Sequence, residues 1–292
     1  MGRTVRVLAD GIWFGEGPRW REGRLWFSDF YDHAVKSVSP AGDLQTEFKI
    51  DDQPSGLGWT PDGTLLVVSM TRRQVLARRA DGALSVHADL SSIATFHCND
   101  MVVDLAGRAY VGNFGFDLDA EIASRGPESV FAEHKAAKLA LVQPDGTVSV
   151  AADDMHFPNG SVITPDGRTL IVGETFAARL TAFDIGAKGS LSRRRVWAEL
   201  APRAPDGIAL DAQGRIWVAN PLAPECLLVA EGGEVLEVID TGDRCFACML
   251  GGEDGRTLHM FTAGAPNSGA ARAGPTGRLL VAEVDAPRAG LP

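Results

Sequence analysis

The sequence has little basic charge and no long apolar run. Its 292 residues contain 28 Lys and Arg against 38 Asp and Glu, a formal net charge of −10. Nucleic-acid binding needs a basic surface that displaces counterions from phosphates, and a membrane helix needs about 18 consecutive apolar residues. We therefore expect neither a nucleic-acid nor a membrane partner. The chain starts directly in a strand-like alternation without an apolar signal segment, so a cytoplasmic location is expected.

Cysteine is also scarce, with 4 residues in the chain. Cys98 and Cys226 stand alone, whereas Cys245 and Cys248 have the two-residue spacing of zinc and redox pairs. A zinc site would need a second Cys or His pair at matching spacing, and a redox pair would need a βαβ context. Neither is present in the sequence, so we expect buried, reduced, structural thiols.

Glycine and proline, in contrast, are abundant, with 33 and 16 residues, about one residue in six. Much of the glycine belongs to one phrase that occurs six times: a turn ending in Gly, a small or basic residue, and an alternating apolar run. The turn glycines are Gly23, Gly63, Gly107, Gly167, Gly214 and Gly255, with spacings of 40, 44, 60, 47 and 41 residues. A turn of this kind before an alternating run predicts a β-hairpin, and a repeat of about 40 to 47 residues is the length of one propeller blade. The sequence therefore predicts an all-β fold, a six-bladed β-propeller forming a single domain over residues 1–292.

Two features complete this architecture. Residues 5–9 and 278–284 both alternate like strands, and because a ring of blades must close on itself, we expect the terminal strands to share one blade. The 60-residue spacing contains an inserted segment at about residues 115–137, where a period near 3.6 predicts a short helix interrupted at Gly126-Pro127. Insertions in propellers lie in loops at one face, so this segment is either a lid or a plain loop excursion.

Polar residues occupy one register position of the repeat. Eight residues before the turn glycine stand Ser55, Asn99, Asn159 and Asp206, and Glu16 lies one residue off the same position. Asn and Asp before Gly are ordinary turn residues, but most of these repeats already have their turn at the later glycine. Equivalent positions of a cyclic fold converge on its axis, so these side chains are expected to meet at the centre.

Side chains of these types at the centre of the ring predict a metal site in which every ligand atom is oxygen. Glu16, Asn159 and Asp206 would supply two carboxylates and one amide carbonyl to a divalent cation. Calcium is the first choice because its variable shell accepts carbonyl oxygens and incomplete protein coordination, while Zn²⁺, Mn²⁺ and Mg²⁺ are alternatives.

These phrases resemble the SMP-30/gluconolactonase/luciferin-regenerating enzyme family over essentially the whole chain. The matching segments are Glu16-Gly-Pro18, Pro54-Ser-Gly56, Asn99-Asp100, Pro158-Asn-Gly160 and Pro205-Asp-Gly207. The resemblance implies a six-bladed propeller with one divalent metal in the central channel, held by Glu16, Asn159 and Asp206. It also implies that Asn99 contacts substrate close to the metal.

The departures from the family pattern concern the substrate. Sugar lactonases of the family often have an Arg two residues before that Asn, where this chain has His97. An acidic residue that contacts sugar in similar proteins aligns approximately with Asp117. Trp13, Phe14, Phe114 and Phe116 would make the pocket more apolar than a polyol requires, unless these aromatic rings only pack in the core.

The leading hypothesis is a metal-dependent lactonase, a carboxylic ester hydrolase that opens a sugar lactone or a more hydrophobic lactone with metal-activated water. Asp206 and His97 are the candidate bases, and Asn99, His97, Asp117, Phe114 and Trp13 are the candidate substrate contacts. Two alternatives remain: other chemistry at the same centre (phosphotriester or enol-ester hydrolysis, hydration or dehydration), or a non-catalytic, metal-stabilised binding propeller. We expect a small-molecule lactone partner and a monomer or a dimer.

Overall fold

Six four-stranded sheets follow one another along the chain. They are seen in a computed structural model that describes residues 3–264 and 273–292. Each sheet is antiparallel. In five sheets the first strand in chain order is called the inner strand because it contacts the corresponding strands of the neighbouring sheets, and in the sixth sheet the strand Cys245–Gly251 has this position. We number the sheets as blades 1 to 6.

Blades 1 to 5 each use four consecutive strands, and blade 6 uses three strands plus the first strand of the chain. Blade 6 contains β1 (Arg6–Ile12), and blade 1 contains β2 (Gly15–Arg21), β3 (Arg24–Asp29), β4 (Ala34–Val38) and β5 (Leu44–Lys49). Blade 2 contains β6 (Pro54–Trp59), β7 (Leu65–Ser69), β8 (Gln74–Arg78) and β9 (Leu84–Asp89). Blade 3 contains β10 (Cys98–Val103), β11 (Ala109–Asn113), β12 (Ala137–Val142) and β13 (Val148–Met155). Blade 4 contains β14 (Pro158–Ile163), β15 (Thr169–Glu174), β16 (Arg179–Ile185) and β17 (Leu191–Glu199). Blade 5 contains β18 (Ile208–Leu210), β19 (Ile216–Asn220), β20 (Glu225–Val229) and β21 (Val235–Asp240), and blade 6 adds β22 (Cys245–Gly251), β23 (Thr257–Thr262) and β24 (Gly277–Glu283).

The blades form a closed ring. The inner strands contact each other in the order β2, β6, β10, β14, β18 and β22, and β22 contacts β2 again. Strand β1 pairs with β24, with Arg6 opposite Val281 and Val7 opposite Leu280. The predicted six-bladed propeller, with the first and last strands in one blade, is confirmed.

The hairpin turns are also as predicted. All six turn glycines have φ between 69° and 86°, a left-handed conformation that glycine adopts without steric cost. The apolar faces of the strands are buried between blades in six clusters, one at each blade interface. At the interface of blades 2 and 3, for example, Leu66 and Val68 pack with Met101 and Val111. Packing between blades therefore holds the inner strands in position around the axis.

The inserted segment forms two short helices, α1 (Leu118–Arg125) and α2 (Pro127–Ala132). They are separated at Gly126, whose φ is 79°, so the predicted interruption of the helix is confirmed. Short one-turn 3₁₀ helices occur at Phe30–Asp32, Thr175–Ala177 and Ala187–Gly189. Within the described part of the chain, no helix combines the length and the apolar character that crossing a membrane requires.

Candidate active site

Polar side chains of four blades are buried where the inner strands begin. Glu16 lies in β2, Asn99 in β10 and Asn159 in β14, and Asp206 precedes β18 by two residues. Their exposed fractions are 7%, 5%, 4% and 8%. The repeat register therefore corresponds to one layer of the ring, at the face where each inner strand starts.

Glu16 and Asp206 form a buried, like-charged pair. Burial, together with repulsion from Asp206 and Asp100, raises the pKa of Glu16 well above its ordinary value. Burial and repulsion from Asp100 raise the pKa of Asp206 in the same direction, and a hydrogen bond from the Asn159 side chain opposes that rise. Bringing these carboxylates together costs free energy unless a positive charge compensates them.

The Asn159 amide is oriented by its neighbours. Its Nδ2 donates to Thr175 Oγ1 at 3.2 Å, and this hydroxyl in turn donates to the Pro205 carbonyl oxygen at 2.8 Å. The backbone N–H of Gly160 donates to the Asp206 carbonyl oxygen at 3.1 Å, which ties blade 4 to blade 5. Because the amide nitrogen serves Thr175 and Asp206, the amide oxygen Oδ1 is left as an acceptor for a ligand.

Arg19 is a buried cation in the same region that sequence reasoning missed. Its Nη2 donates to Asp100 Oδ1 at 2.8 Å and its Nε donates to the Leu57 carbonyl oxygen at 2.8 Å, so one side chain joins blades 1, 2 and 3. Only 5% of Arg19 is exposed. The sequence signal was an arginine directly after Glu16-Gly-Pro18, at the start of a strand that is otherwise buried there.

The donor set fits a hard divalent cation. Asp100 has its counter-ion in Arg19, whereas in residues 3–264 and 273–292 no Lys or Arg forms an ion pair with Glu16 or Asp206. Two carboxylates and one amide oxygen suit a hard cation that keeps water or substrate in its shell. The described residues include no group of three or more His, Cys, Asp and Glu side chains arranged to bind a metal, and the candidate set here has two carboxylates and one amide.

The remaining predicted substrate residues lie around this face in different environments. His97 is half-buried, with its ring 4.0 Å from that of Phe96 and 6.1 Å from that of Phe114. Trp13 is half-buried, and its backbone N–H donates to the Asp29 carboxylate at 3.2 Å. His97 lies in a loop two residues before Asn99, and Trp13 lies in a loop three residues before Glu16.

Asp117 stands apart from this group. It is exposed, and its Oδ1 accepts a hydrogen bond from the Ala120 backbone at 3.0 Å as the N-cap of α1. A capping carboxylate satisfies a free helix N–H group, which gives Asp117 a local structural role. Its contact with substrate stays a prediction.

The insertion contacts the propeller beside the candidate site. Cys98 at the start of β10 is opposite Asn113 at the end of β11, so the insertion leaves blade 3 next to Asn99. His134 Nε2 lies 2.8 Å from His156 Nδ1, and the ring of Phe131 lies 4.6 Å from that of Phe176. Sequence reasoning did not identify His156 or Phe176, because neither belongs to the repeated phrase.

The four cysteines are buried and unpaired, as expected for structural thiols. Burial raises the pKa of the Cys98 thiol to about 12, so this group stays protonated at neutral pH. A surface hollow of about 390 Å³ lies at the opposite ends of the strands, lined by Asp104, Pro165 and Gly290 among others. Asp104 is paired there with Arg108, and neither Glu16 nor Asp206 lines the hollow.

The fold is a six-bladed β-propeller in which two carboxylates and one amide are buried where the inner strands begin. Residues 14–264 match the family described as SMP-30/Gluconolactonase/LRE-like region, and the chain belongs to this family.

Named relatives are similar along most of their length. The chain is 27% identical over 281 residues to pentonolactonase XacC of Haloferax volcanii, covering 93% of this chain and 89% of the relative. It is 24% identical to 6-deoxy-6-sulfogluconolactonase of Pseudomonas putida, covering 90% and 88%. Among solved structures, the calcium-binding protein regucalcin from Agrobacterium tumefaciens matches with a TM-score of 0.79 and 21% identity, covering 100% of this chain and 97% of the other. This last likeness supports the fold alone.

Proposed function

We propose that this protein is a lactonase that hydrolyses the ester ring of a small lactone to its hydroxy acid, with a divalent cation held by Glu16, Asn159 and Asp206. The observation that carries the proposal is the buried carboxylate pair, whose pKa values are raised by burial and by repulsion from neighbouring carboxylates. The relatives named pentonolactonase and 6-deoxy-6-sulfogluconolactonase support ring opening of a lactone as the reaction. Calcium is the first candidate ion, since these oxygen ligands suit it.

The cation would supply positive charge that polarises the ester carbonyl as the transition state forms. The chain's own side chains would bind the lactone and transfer the proton. Asn99, buried in the same layer, would orient the lactone by hydrogen bonding. Water adds to the carbonyl carbon, the bond from that carbon to the ring oxygen breaks, and the proton lost by water ends on the released hydroxyl group.

Asp206 is our first candidate for the base that takes this proton, and His97 is the second. Asp206 is buried beside Asn159, in the layer where the ester would bind. His97 is half-buried two residues before Asn99, where an imidazole could pass the proton to the leaving oxygen. His97→Gln separates the two roles: if His97 takes the proton as the base, the acidic limb of the rate profile, where the rate falls as the imidazole is protonated, disappears, whereas if it only contacts substrate, KM rises and the profile is kept.

The test measures acid release with a pH indicator, and Ca²⁺ binding by calorimetry. Asp206→Ala and Asn159→Ala should each lose more than 100-fold in kcat/KM and lose Ca²⁺ binding together, while circular dichroism keeps the β spectrum. Asp153→Ala, an exposed carboxylate on β13, is the matched control and should change neither quantity. Full activity after dialysis against EDTA would contradict the cation's role. Stabilisation by Ca²⁺ without opening of any lactone would favour a binding propeller instead.

A further inference from the structure

A row of aromatic rings runs from the candidate site to the insertion. The rings of Phe114 and Phe157 lie 4.6 Å apart, those of Phe157 and Phe176 5.1 Å apart, and that of His97 lies 6.1 Å from Phe114. Phe96 joins the row at 4.0 Å from His97. We call Phe96, His97, Phe114, Phe157 and Phe176 the aromatic row.

The insertion adds rings to the far end of the row. Phe131 lies 4.6 Å and Phe116 5.7 Å from Phe176, measured between ring centroids. His134 lies 5.0 Å from Phe176. The insertion therefore extends an apolar surface that blades 3 and 4 begin.

The aromatic row is continuous with the predicted site. His97 precedes Asn99 by two residues and Phe157 precedes Asn159 by two residues. The Thr175 N–H donates to the Phe157 carbonyl oxygen at 3.2 Å, and its hydroxyl accepts from Asn159. A ligand held at these two amides would therefore have aromatic rings directly beside it.

Polar side chains at the same face already form hydrogen bonds within the protein. Asp29 accepts hydrogen bonds from Lys36 and from the Trp13 and Phe14 backbone. Asn113 bonds to the backbone of Lys138 and Gly115. Hydroxyl groups of a polyol lactone would find few free partners among them, and each buried hydroxyl without a partner loses about 1–3 kcal/mol.

Glu174 is engaged in the same way. Its carboxylate accepts from the backbone of His156 at 2.8 Å and from Arg179 at 3.0 Å, and it also bonds to Thr181. This carboxylate lies at the end of β15, directly before Thr175 and Phe176, yet it is fully buried. Next to the row, the Glu174 carboxylate is therefore buried and already occupied by donors of the protein.

We infer that the natural substrate is a lactone that carries an apolar arm, alkyl or aryl, and that the arm lies along the aromatic row while the ester group lies at Asn99, beside the proposed cation site. The inference rests on the proposed lactonase function and names its substrate class. Phe114 and Phe176, both half-buried, are the specificity-determining residues, because they offer ring surface that is not already covered.

The experiment compares kcat/KM for δ-valerolactone, its 5-propyl and 5-pentyl derivatives, and glucono-δ-lactone, with Ca²⁺, Mn²⁺ or Zn²⁺ present. Burial of each methylene group should raise kcat/KM about fourfold, so the pentyl lactone should exceed the propyl lactone about 15-fold. Glucono-δ-lactone should be opened at least 100-fold less efficiently than the pentyl lactone. Binding of the 5-pentyl δ-lactam, which resists hydrolysis, is measured by calorimetry and should show a negative heat-capacity change.

Variants test the location of the arm. Phe114→Ala and Phe176→Ala should lower kcat/KM for the pentyl lactone about 10- to 100-fold, mainly through KM, and change δ-valerolactone less than threefold. Phe176→Leu keeps apolar volume and should restore most of the loss. Phe48→Ala, on the outer strand β5 and in contact with Arg78, is the matched control and should leave the chain-length dependence unchanged.

Three outcomes separate the two proposals. Efficient opening of glucono-δ-lactone with no gain from the alkyl arm would overturn the substrate class and leave the lactonase proposal standing. Equal losses for every lactone in the phenylalanine variants would assign the rings to packing, and would also overturn the inference. Failure to open any lactone with any of the three cations, with no binding of the lactam, would overturn both proposals.

Discussion

At the scale of single residues, the carboxylates of Glu16 and Asp206 lower the stability of the cation-free protein and would provide ligands for a cation. Both are buried, and their pKa values are raised by burial and by neighbouring negative charge. A cation that binds the folded state and not the unfolded chain would stabilise the protein by mass action. The same pair should therefore destabilise the protein when no cation is bound.

Asp206→Asn should stabilise the cation-free protein at neutral pH. Because the folded-state pKa of Asp206 lies above its ordinary value of 3.8, the folded protein holds a proton that the unfolded chain has released. The cost is absent below about pH 4 and grows as pH rises towards the folded pKa. In EDTA at pH 7.5 we expect Asp206→Asn to unfold at a higher urea concentration than the wild type, because the amide has no negative charge to bury.

Urea unfolding in EDTA at pH 4.0, 6.0 and 7.5 measures this effect. The difference between Asp206→Asn and the wild type should vanish at the lowest pH, and saturating Ca²⁺ should reverse the order of stability at the highest. Asp153→Ala serves again as the control. An Asp206→Asn protein that is less stable in EDTA at every pH would show that the carboxylate is compensated by the protein itself.

The sequence predicts some of these residues and misses others for a physical reason. Glu16, Asn159 and Asp206 are found because equivalent positions of a cyclic repeat converge on one axis. Thr175 and Arg19 act through contacts with other blades, Thr175 with Pro205 and Arg19 with Asp100, and no spacing in the chain encodes such contacts. The aromatic row is predicted only in part: His97 and Phe114 of blade 3 are among the predicted substrate contacts, whereas Phe157 and Phe176 come from blade 4 and no spacing in the chain connects them to blade 3.

At the scale of elements, the close approach of the inner strands depends on glycines that follow the polar residues. A Cβ atom on Gly160 would lie 2.6 Å from the Asp206 carbonyl oxygen, and one on Gly56 would lie 2.4 Å from the Met101 backbone nitrogen. Gly207 would meet the Ala247 Cα atom at 2.7 Å. In each Asn-Gly, Ser-Gly or Asp-Gly pair, the glycine is therefore required for the close approach of neighbouring blades, in addition to any preference for glycine in a turn.

Gly160→Ala should be strongly destabilising and should also weaken the site. The added methyl group would push blade 4 away from the Asp206 backbone, which Gly160 bonds at 3.1 Å. We expect a loss of about 3 kcal/mol or more, in the range of severe overpacking, and a loss of Ca²⁺ affinity. Thermal unfolding and calorimetry measure the two effects.

Gly214→Ala is the matched control for this substitution. Its Cβ would meet nothing within 4 Å, although its φ of 75° is unfavourable for alanine. We expect a cost of about 1–2 kcal/mol and unchanged Ca²⁺ affinity. Equal losses in the two variants would show that backbone conformation, and not blade spacing, decides the role of Gly160.

At the scale of the whole molecule, the fold could be predicted because it is a repeat. Six copies of one turn-and-strand phrase fix the number of blades, and the strand-like ends fix how the ring closes. The insertion departs from the repeat, so the sequence gives its position and its broken helix but not its partners, His156 and Phe176. Those contacts join α2 and the residues just after it to blade 4. A repeat pattern predicts only positions that recur in every blade, so it does not predict these contacts.

Ring closure makes the first strand a determinant of solubility as well as stability. Strand β1 covers the edge of β24, and its Ile12 is fully buried against blade 1. Arg3 extends the closure to blade 5 through an ion pair with Glu237. Without β1, the unpaired edge of β24 would be free to pair with another molecule.

Deletion of residues 1–12 should therefore lower the unfolding temperature and cause association. The loss of Ile12 alone corresponds to about 2–5 kcal/mol for a buried large-to-small change, and the exposed edge adds a site for strand pairing between chains. Light scattering after size-exclusion chromatography, together with thermal unfolding, measures both effects. Val7→Thr changes an exposed side chain of β1 while keeping the strand, and should leave mass and unfolding temperature as in the wild type. A deleted protein that keeps the wild-type mass and melts within a few degrees of it would show that three strands close blade 6 on their own.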